Sequence, residues 1–268
     1  MADTNTRRRR RLTAKRVRFV RQWTVETKSD HDALFVHVQI RSRWGGLWRD
    51  LLIVSANMGG HFGEADLIKL ARAAETYGRQ YRTAPVPFLI AFQEAGDQPW
   101  LPRSAADLGL RTLTGHRRGE GSTPVAASKG IDVLHDQWDE VVGPANVGPG
   151  AGPSRSKAKG WRRTRFAVDG VRFGASSFHE YASLGRRFAW ALRLAGPVVA
   201  AILRMGRPFF LVGDFNADNS QPLIRWLVRR GMTTNHRQLG ELATHGRRSI
   251  DAVAVQASLV VRGGADRG

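Results

Sequence analysis

Five places in the sequence put a polar, chemically capable side chain at the end of a short apolar run. Asn57 follows "LLIVSA", Glu94 ends "FLIAFQE", Asp214 and Asn216 stand in "FFLVGDFN", Asp251 opens the run in "SIDAVAV", and His179 sits in "ASSFHE". A further acid–histidine pair, Asp30-His31, lies near the front, just before the alternating run "ALFVHVQI". Carboxylates and carboxamides of this kind can hold a hard cation or align water, and imidazoles can pass a proton. The chain has no cysteine, so any metal must bind through oxygen and imidazole. Taken singly, each residue is a weak signal. An Asp or Asn after a strand is most often a turn or helix cap, and a lone His is more often structural. Their recurrence at strand ends is what counts, because strands hold such groups rigidly at one rim.

The elements that must position them can be read in order. "VRFVRQWTV" from Val17 and "ALFVHVQI" alternate apolar and polar residues, as half-buried strands do. "LLIVSAN" reads as a buried strand. "EADLIKLARAAETYG" reads as a helix with Leu67, Leu70, Ala71 and Ala74 on one face and Gly78 as its stop. "PFLIAFQE" is a strand, a polar stretch follows, and "SKGIDVLHD" gives weak strand signals. "TRFAVDGVRFGASSFHE" reads as a hairpin turning at Asp169-Gly170. A long apolar helix from Phe188, strand "PFFLVGDFNAD", helix "SQPLIRWLVRRG" and "RRSIDAVAVQASLVV" complete the chain. Strands dominate with helices between some of them, which predicts one α/β domain with two packed sheets. Residues 1–16 form an arginine-rich tail expected to be disordered, 17–268 a single catalytic domain, and the Gly/Pro/Ser stretch at about 143–160 a mobile loop.

Composition narrows the partners. An apolar fraction of 42% with 24% charged residues suits a 268-residue globular chain. The 42 Lys and Arg against 23 Asp and Glu leave a net charge of +19, which points to a polyanion such as nucleic acid. The most apolar window, from Phe188, is broken by Arg193 and Pro197, so it reads as a buried helix and not a membrane span. No secretory signal follows the leading arginines. The expectation is a monomer, without membrane association, in the cytoplasm of a bacterium or encoded by a phage.

"SAN", "FQE", "SSFHE", "GDFN" and "SID", in that order, resemble the endonuclease/exonuclease/phosphatase family, which includes DNase I-like nucleases, inositol-phosphate phosphatases and sphingomyelinases. The resemblance spans roughly Leu51 to Val261, and "GDFN" between strand and helix is its most specific element. It implies a DNase I-like fold: two packed mixed β-sheets flanked by helices in four α/β/β/α layers. In the family, a Ser-Asp-His followed by a strand closes the domain after "SID", whereas this chain ends in "VVRGGADRG". "SDH" before "DALFVHVQI" is similar to that closing motif, moved to the front. The chain is therefore read as a circular permutant, which domains tolerate where their termini lie close together at the surface.

The resemblance also implies roles. Glu94, with Asn57 and Asp30, would hold Mg²⁺ or Mn²⁺. Asp214 would position or deprotonate the attacking water while Asn216 holds a phosphate oxygen. His179 and His31 would donate to the scissile phosphate, with Asp251 orienting His31 and raising its pKa. The expected activity is metal-dependent phosphodiester hydrolysis by a DNA endonuclease or exonuclease, since the charge favours nucleic acid over a small phosphoester. The alternatives are a phosphomonoesterase or lipid phosphodiesterase of the same fold, or an inactive nucleic-acid-binding scaffold.

Overall fold

The computed structural model describes residues 15–59, 61–81, 85–95, 98–113, 123–142, 159–179 and 188–261. Strand β1 (Val17–Val25) and strand β2 (Ala33–Ser42) form an antiparallel hairpin, with Val25 opposite Ala33. The two-residue period of β2 puts Leu34, Val36, Val38 and Ile40 on one face and Ala33 and Phe35 on the other. Strand β3 (Gly45–Asn57) pairs antiparallel with β2, so the front hairpin joins the sheet beside the strand that ends in Asn57. Helix α1 (Glu64–Tyr81) then crosses over to strand β4 (Phe88–Gln93), parallel to β3. Helix α2 (Trp100–Asp107) and the short strands β5 (Arg111–Leu113) and β6 (Val125–Ala127) complete the first sheet, ordered β1-β2-β3-β4-β6-β5.

The second sheet is built from strands β7 (Asp132–Val142), β8 (Lys159–Val168) and β9 (Val171–His179), then β10 (Phe209–Asp214) after helix α3 (Phe188–Arg204). Helix α4 (Pro222–Arg229), strand β11 (Met232–Thr234), the short helix α5 (Asn235–Leu239) and strand β12 (Asp251–Gln256) follow, giving the order β11-β12-β10-β9-β8-β7. The sheets pack face to face through Leu34, Val36, Ile53, Phe166, Phe173 and Val212. The outer face of the first sheet packs with Leu67, Leu70 and Ala74 of α1, and that of the second with Leu194, Val198 and Ile202 of α3. The expected four layers, α/β/β/α, are the observed ones.

Several elements depart from the sequence reading. Gly78 does not stop α1, which continues to Tyr81. The glycine serves close packing, since a Cβ there would lie 2.8 Å from the Val86 nitrogen. β3 starts at Gly45, six residues before the apolar run, and the weak signals after Ser128 belong to the eleven-residue β7. Of the stretch read as a mobile loop, residues 143–158 lie outside the described residues, and Lys159 and Gly160 belong to β8. Residues 1–14 of the expected tail also lie outside the described residues. Arg16, drawn into that tail, is instead buried, with its amide bonded to the Leu259 carbonyl and its guanidinium to the Arg41 and Gly206 carbonyls. The two ends of the described chain meet: Val17 bridges Val260, and the Val261 amide donates to the Val17 carbonyl at 2.8 Å. Among the described residues, no helix is long and apolar enough to cross a membrane.

Candidate active site

The register of the sheets brings the polar strand ends to one rim. Asn57 is the partner of Gln93 across β3 and β4, while Asp214 is flanked by His179 on β9 and Asp251 on β12. The two sheets meet here because Ser55, buried on β3, donates to Gln93 at 3.1 Å and lies 3.5 Å from the Asp251 carboxylate. Gln93 in turn donates to Ser177 of β9 at 3.1 Å. Buried polar groups must find partners, so this chain of side chains crosses the core where an apolar seam would leave the rim unanchored. Gly213 permits the same closeness on the second sheet. Its φ of 147° and the Phe178 carbonyl, 1.9 Å from where a Cβ would sit, leave room for no other residue.

Asp214 is the centre of the group. It is 2% exposed and accepts the Asn216 amide at 2.6 Å, the Asn216 side chain at 3.2 Å and the Asn57 side chain at 3.4 Å. Asn57 also donates to Glu94 at 3.3 Å, and His179 Nε2 lies 3.4 Å from Glu94 and 3.9 Å from Asp214. Burial, together with the charge of Asp251, pushes the Asp214 pKa up to about 7, against the opposing effects of His31 and the Asn216 amide. Glu94 and Asn216 hold left-handed backbone, φ 53° and 48°. That conformation costs a non-glycine residue energy, and such strain tends to gather at functional sites.

His31 reaches the rim from the other end of the chain. Its Nδ1 lies 2.8 Å from Asp251 Oδ2, both side chains buried, across a sequence separation of 220. The loop that delivers it is self-bonded: the His31 amide donates to Ser29 Oγ, and Thr27 Oγ1 donates to the His31 carbonyl. Burial alone would lower the His31 pKa. The hydrogen bond to Asp251 and the charges of Asp251, Asp214 and Asp30 outweigh it and raise the pKa to about 9. Asp251 is itself held from behind, its carbonyl 2.6 Å from His236 Nε2 and its amide donating to Thr244 Oγ1.

All eight residues singled out in the sequence therefore converge, although not as one cluster. Glu94, His179 and Asp214 present ligand atoms within 4.8 Å of one another, as do Asp30, His31 and His245. The expected trio Asp30, Asn57 and Glu94 surrounds Gly59 instead. A Cβ on Gly59 would lie 3.2 Å from Asn57 Oδ1, 3.2 Å from Glu94 Oε2 and 3.3 Å from Asp30 Oδ1. His245 is the residue that sequence reasoning missed. Its Nδ1 contacts the Asp30 carbonyl at 2.8 Å and its ring tilts against that of His31, with centroids 4.6 Å apart. Standing in "ATHGRR", outside any apolar strand, it carried no signal of this placement.

No family model and no curated protein matches the chain. Solved structures do. SmcL is 14% identical with a TM-score of 0.51, covering 75% of this chain and 77% of that one. Sphingomyelinase C from Streptomyces griseocarneus is 15% identical with a TM-score of 0.51, covering 79% and 85%. An endonuclease/exonuclease/phosphatase family protein from Bacteroides thetaiotaomicron is also 15% identical at a TM-score of 0.51, covering 76% and 82%. At these identities the likeness is one of fold. The chain carries the DNase I-like fold of the endonuclease/exonuclease/phosphatase proteins.

Proposed function

We propose that this protein is a divalent-metal-dependent phosphodiester hydrolase acting on nucleic acid, with DNA as its substrate. The observation that carries the reading is the buried His31–Asp251 pair, closed at the rim where Glu94, His179, Asp214 and Asn216 also end. An imidazole held by a carboxylate beside a buried, raised-pKa carboxyl is a pairing suited to acid–base work. The net charge of +19 supports a polyanionic substrate.

The donor set fits a hard cation. Asp30, Asn57 and Glu94 bring oxygens together beside Gly59, each within 3.3 Å of one point, and Mg²⁺ and Mn²⁺ prefer oxygen ligands. Held by these oxygens, the ion would neutralise charge on the phosphate as its bonds change. Asp214 accepts the proton of the attacking water, and its Asn57 and Asn216 contacts fix which lone pair faces it. The Asn216 side chain holds a phosphate oxygen. His31, with Nδ1 committed to Asp251, presents Nε2 to the phosphate and delivers a proton towards the leaving oxygen. His179 donates to a second phosphate oxygen from the opposite sheet.

The reading includes circular permutation. Its support is that the hairpin bearing Ser29-Asp30-His31 lies beside β3 and that residues 17 and 260, near the two ends, are bonded neighbours. A lipid phosphodiester is the second reading, favoured by the similarity in fold to sphingomyelinase C. Supercoiled plasmid incubated with Mg²⁺ should be nicked, and EDTA should stop the reaction. Plasmid left intact alongside hydrolysis of sphingomyelin vesicles would replace the first reading with the second.

A further inference from the structure

The end of the sandwich opposite the rim carries a second concentration of chemistry that hydrolysis does not use. β2 and β3 turn over between Ser42 and Gly45, lifting Trp44 (82% exposed) and Leu47 (74% exposed) into solvent. Beside this turn is a cavity of about 480 Å³ walled by Arg16, Arg43, Trp44, Arg172 and Arg207. The Arg43 guanidinium stacks over Trp44 at 4.2 Å, and Trp48 carries both Arg41 and Arg18, at 4.6 and 5.0 Å. Among the described residues, nearby carboxylates are engaged or set apart: Asp169 pairs with Arg49 at 3.4 Å, Asp50 is buried against His37, and Asp132 stands two strands from Arg172, on β7.

A chain this basic is expected to have solvated arginines, which ordinarily spread apart. These do not. Burial, then Arg43 and Arg207, lower the pKa of Arg16; burial, then Arg165 and Arg172, lower that of Arg207. Like charges held together in this way attract an anion that relieves their repulsion.

We propose that this cavity and its Trp44 hairpin form a second nucleic-acid site, remote from the cleavage centre. Arginines grip successive phosphates and Trp44 stacks on an unpaired base at a single-stranded end. The inference rests on the nucleic-acid part of the function proposed above. Arg guanidinium groups match phosphate oxygens in bidentate geometry, and exposed aromatics stack on bases without regard to sequence. The cavity is concave, with arginines contributed by the β2–β3 hairpin, by β9 and by the turn before β10. A polynucleotide strand can enter such a space and a flat bilayer cannot.

β3 alone runs from this hairpin to Asn57 at the rim. Thirteen residues at about 3.3 Å each separate the two sites by roughly 40 Å. At about 3.4 Å per base pair, only duplexes longer than roughly 12 base pairs can reach both.

The test uses the full chain carrying Arg43→Ala with Arg207→Ala, and separately Trp44→Ala. Fluorescence anisotropy in EDTA reads binding of a labelled 30-base-pair duplex with a single-stranded overhang, and hydrolysis of bis(p-nitrophenyl) phosphate with Mn²⁺ reads the cleavage centre. The double variant should bind the duplex roughly tenfold or more weakly, with its salt slope reduced by about 1.8. Trp44→Ala should weaken binding by about fivefold or more. Both should hydrolyse the small ester as the parent does. Unchanged duplex affinity overturns the proposal, as does unchanged duplex affinity with lost binding to phosphatidylserine vesicles, which would assign the patch to membranes. If the parent hydrolyses no phosphodiester while the variants still lose duplex binding, the second site stands and the hydrolytic reading falls.

Discussion

Replacing Asp251 with Asn should disconnect His31 from the source of its basicity while preserving the shape of the site. In the parent, the ring titrates near 9, against an ordinary value of 6.5. That difference is on the order of 3 kcal/mol, held mainly by one 2.8 Å contact to a carboxylate that is 1% exposed. At pH 7.5 a pKa of about 9 keeps His31 protonated by roughly 30 to 1, whereas a pKa at or below 6.5 reverses the ratio to about 1 to 10. With Asp251 neutralised, burial lowers the pKa and only Asp214 and Asp30 oppose it. Loss of the proton and of the fixed ring orientation together should cost roughly 10²- to 10⁴-fold in rate. NMR titration of the ring in metal-free protein measures the pKa directly. Stability gives a second reading. Because folding raises this pKa, the stabilisation is complete below about pH 6.5 and is lost as pH rises through about 9. Chemical denaturation should show that loss in the parent and not in Asp251→Asn. A His31 ring titrating near 6.5 in the parent, or one unmoved by the substitution, would refute the reasoning.

Four further outcomes follow from the same geometry. Glu94→Gln should leave the fold intact by circular dichroism and reduce Mn²⁺ binding, measured calorimetrically, by tenfold or more, roughly the effect of losing one charged ligand. Gly59→Val should weaken the same binding by filling the space between Asp30, Asn57 and Glu94, without altering the His31–Asp251 contact. Gly213→Ala should destabilise the protein by several kcal/mol, seen as a large fall in melting temperature, because its Cβ would overlap the Phe178 carbonyl. Deleting residues 2–11 should weaken duplex binding mainly at low salt and spare the rate at saturating substrate, since each lost phosphate contact lowers the salt slope by about 0.9.

What could be read before folding was whatever is encoded locally. The alternation in β1 and β2 and the apolar runs of β3, β4, β10 and β12 declare themselves because a half-buried or buried strand needs that pattern. β5, β6 and β11, three residues each, are too short to show a period. α2 was hidden by Pro102, which sits in the first turn where the missing amide hydrogen has no helical acceptor to lose. α5 spans five residues and is held by Thr234, whose side chain accepts the Arg237 amide. Gly78 misled for a related reason. The rule that glycine ends a helix assumes a backbone turning left-handed, whereas this glycine makes room for the segment at Val86.

The site divides along the same line. Asn57, Glu94, His179, Asp214 and Asp251 were legible because each ends or begins a strand whose apolar residues fix its place at the rim. His245 was not, because it reaches the site through a tertiary contact with the Asp30 carbonyl, at a sequence separation of 215. Ser55 and Ser177 lay inside the quoted motifs yet drew no notice, because their function, through Gln93, is to join the two sheets and that junction exists only once the sheets pack. His31 stands between these cases. Its Ser-Asp-His signature is local, but its partner Asp251 lies at the opposite end of the chain, and the β1–β2 loop that carries it is tied to that end by the Asp32 amide on the Thr244 carbonyl and by His245 on the Asp30 carbonyl. The hairpin that closes the first sheet is therefore the same hairpin that delivers the histidine.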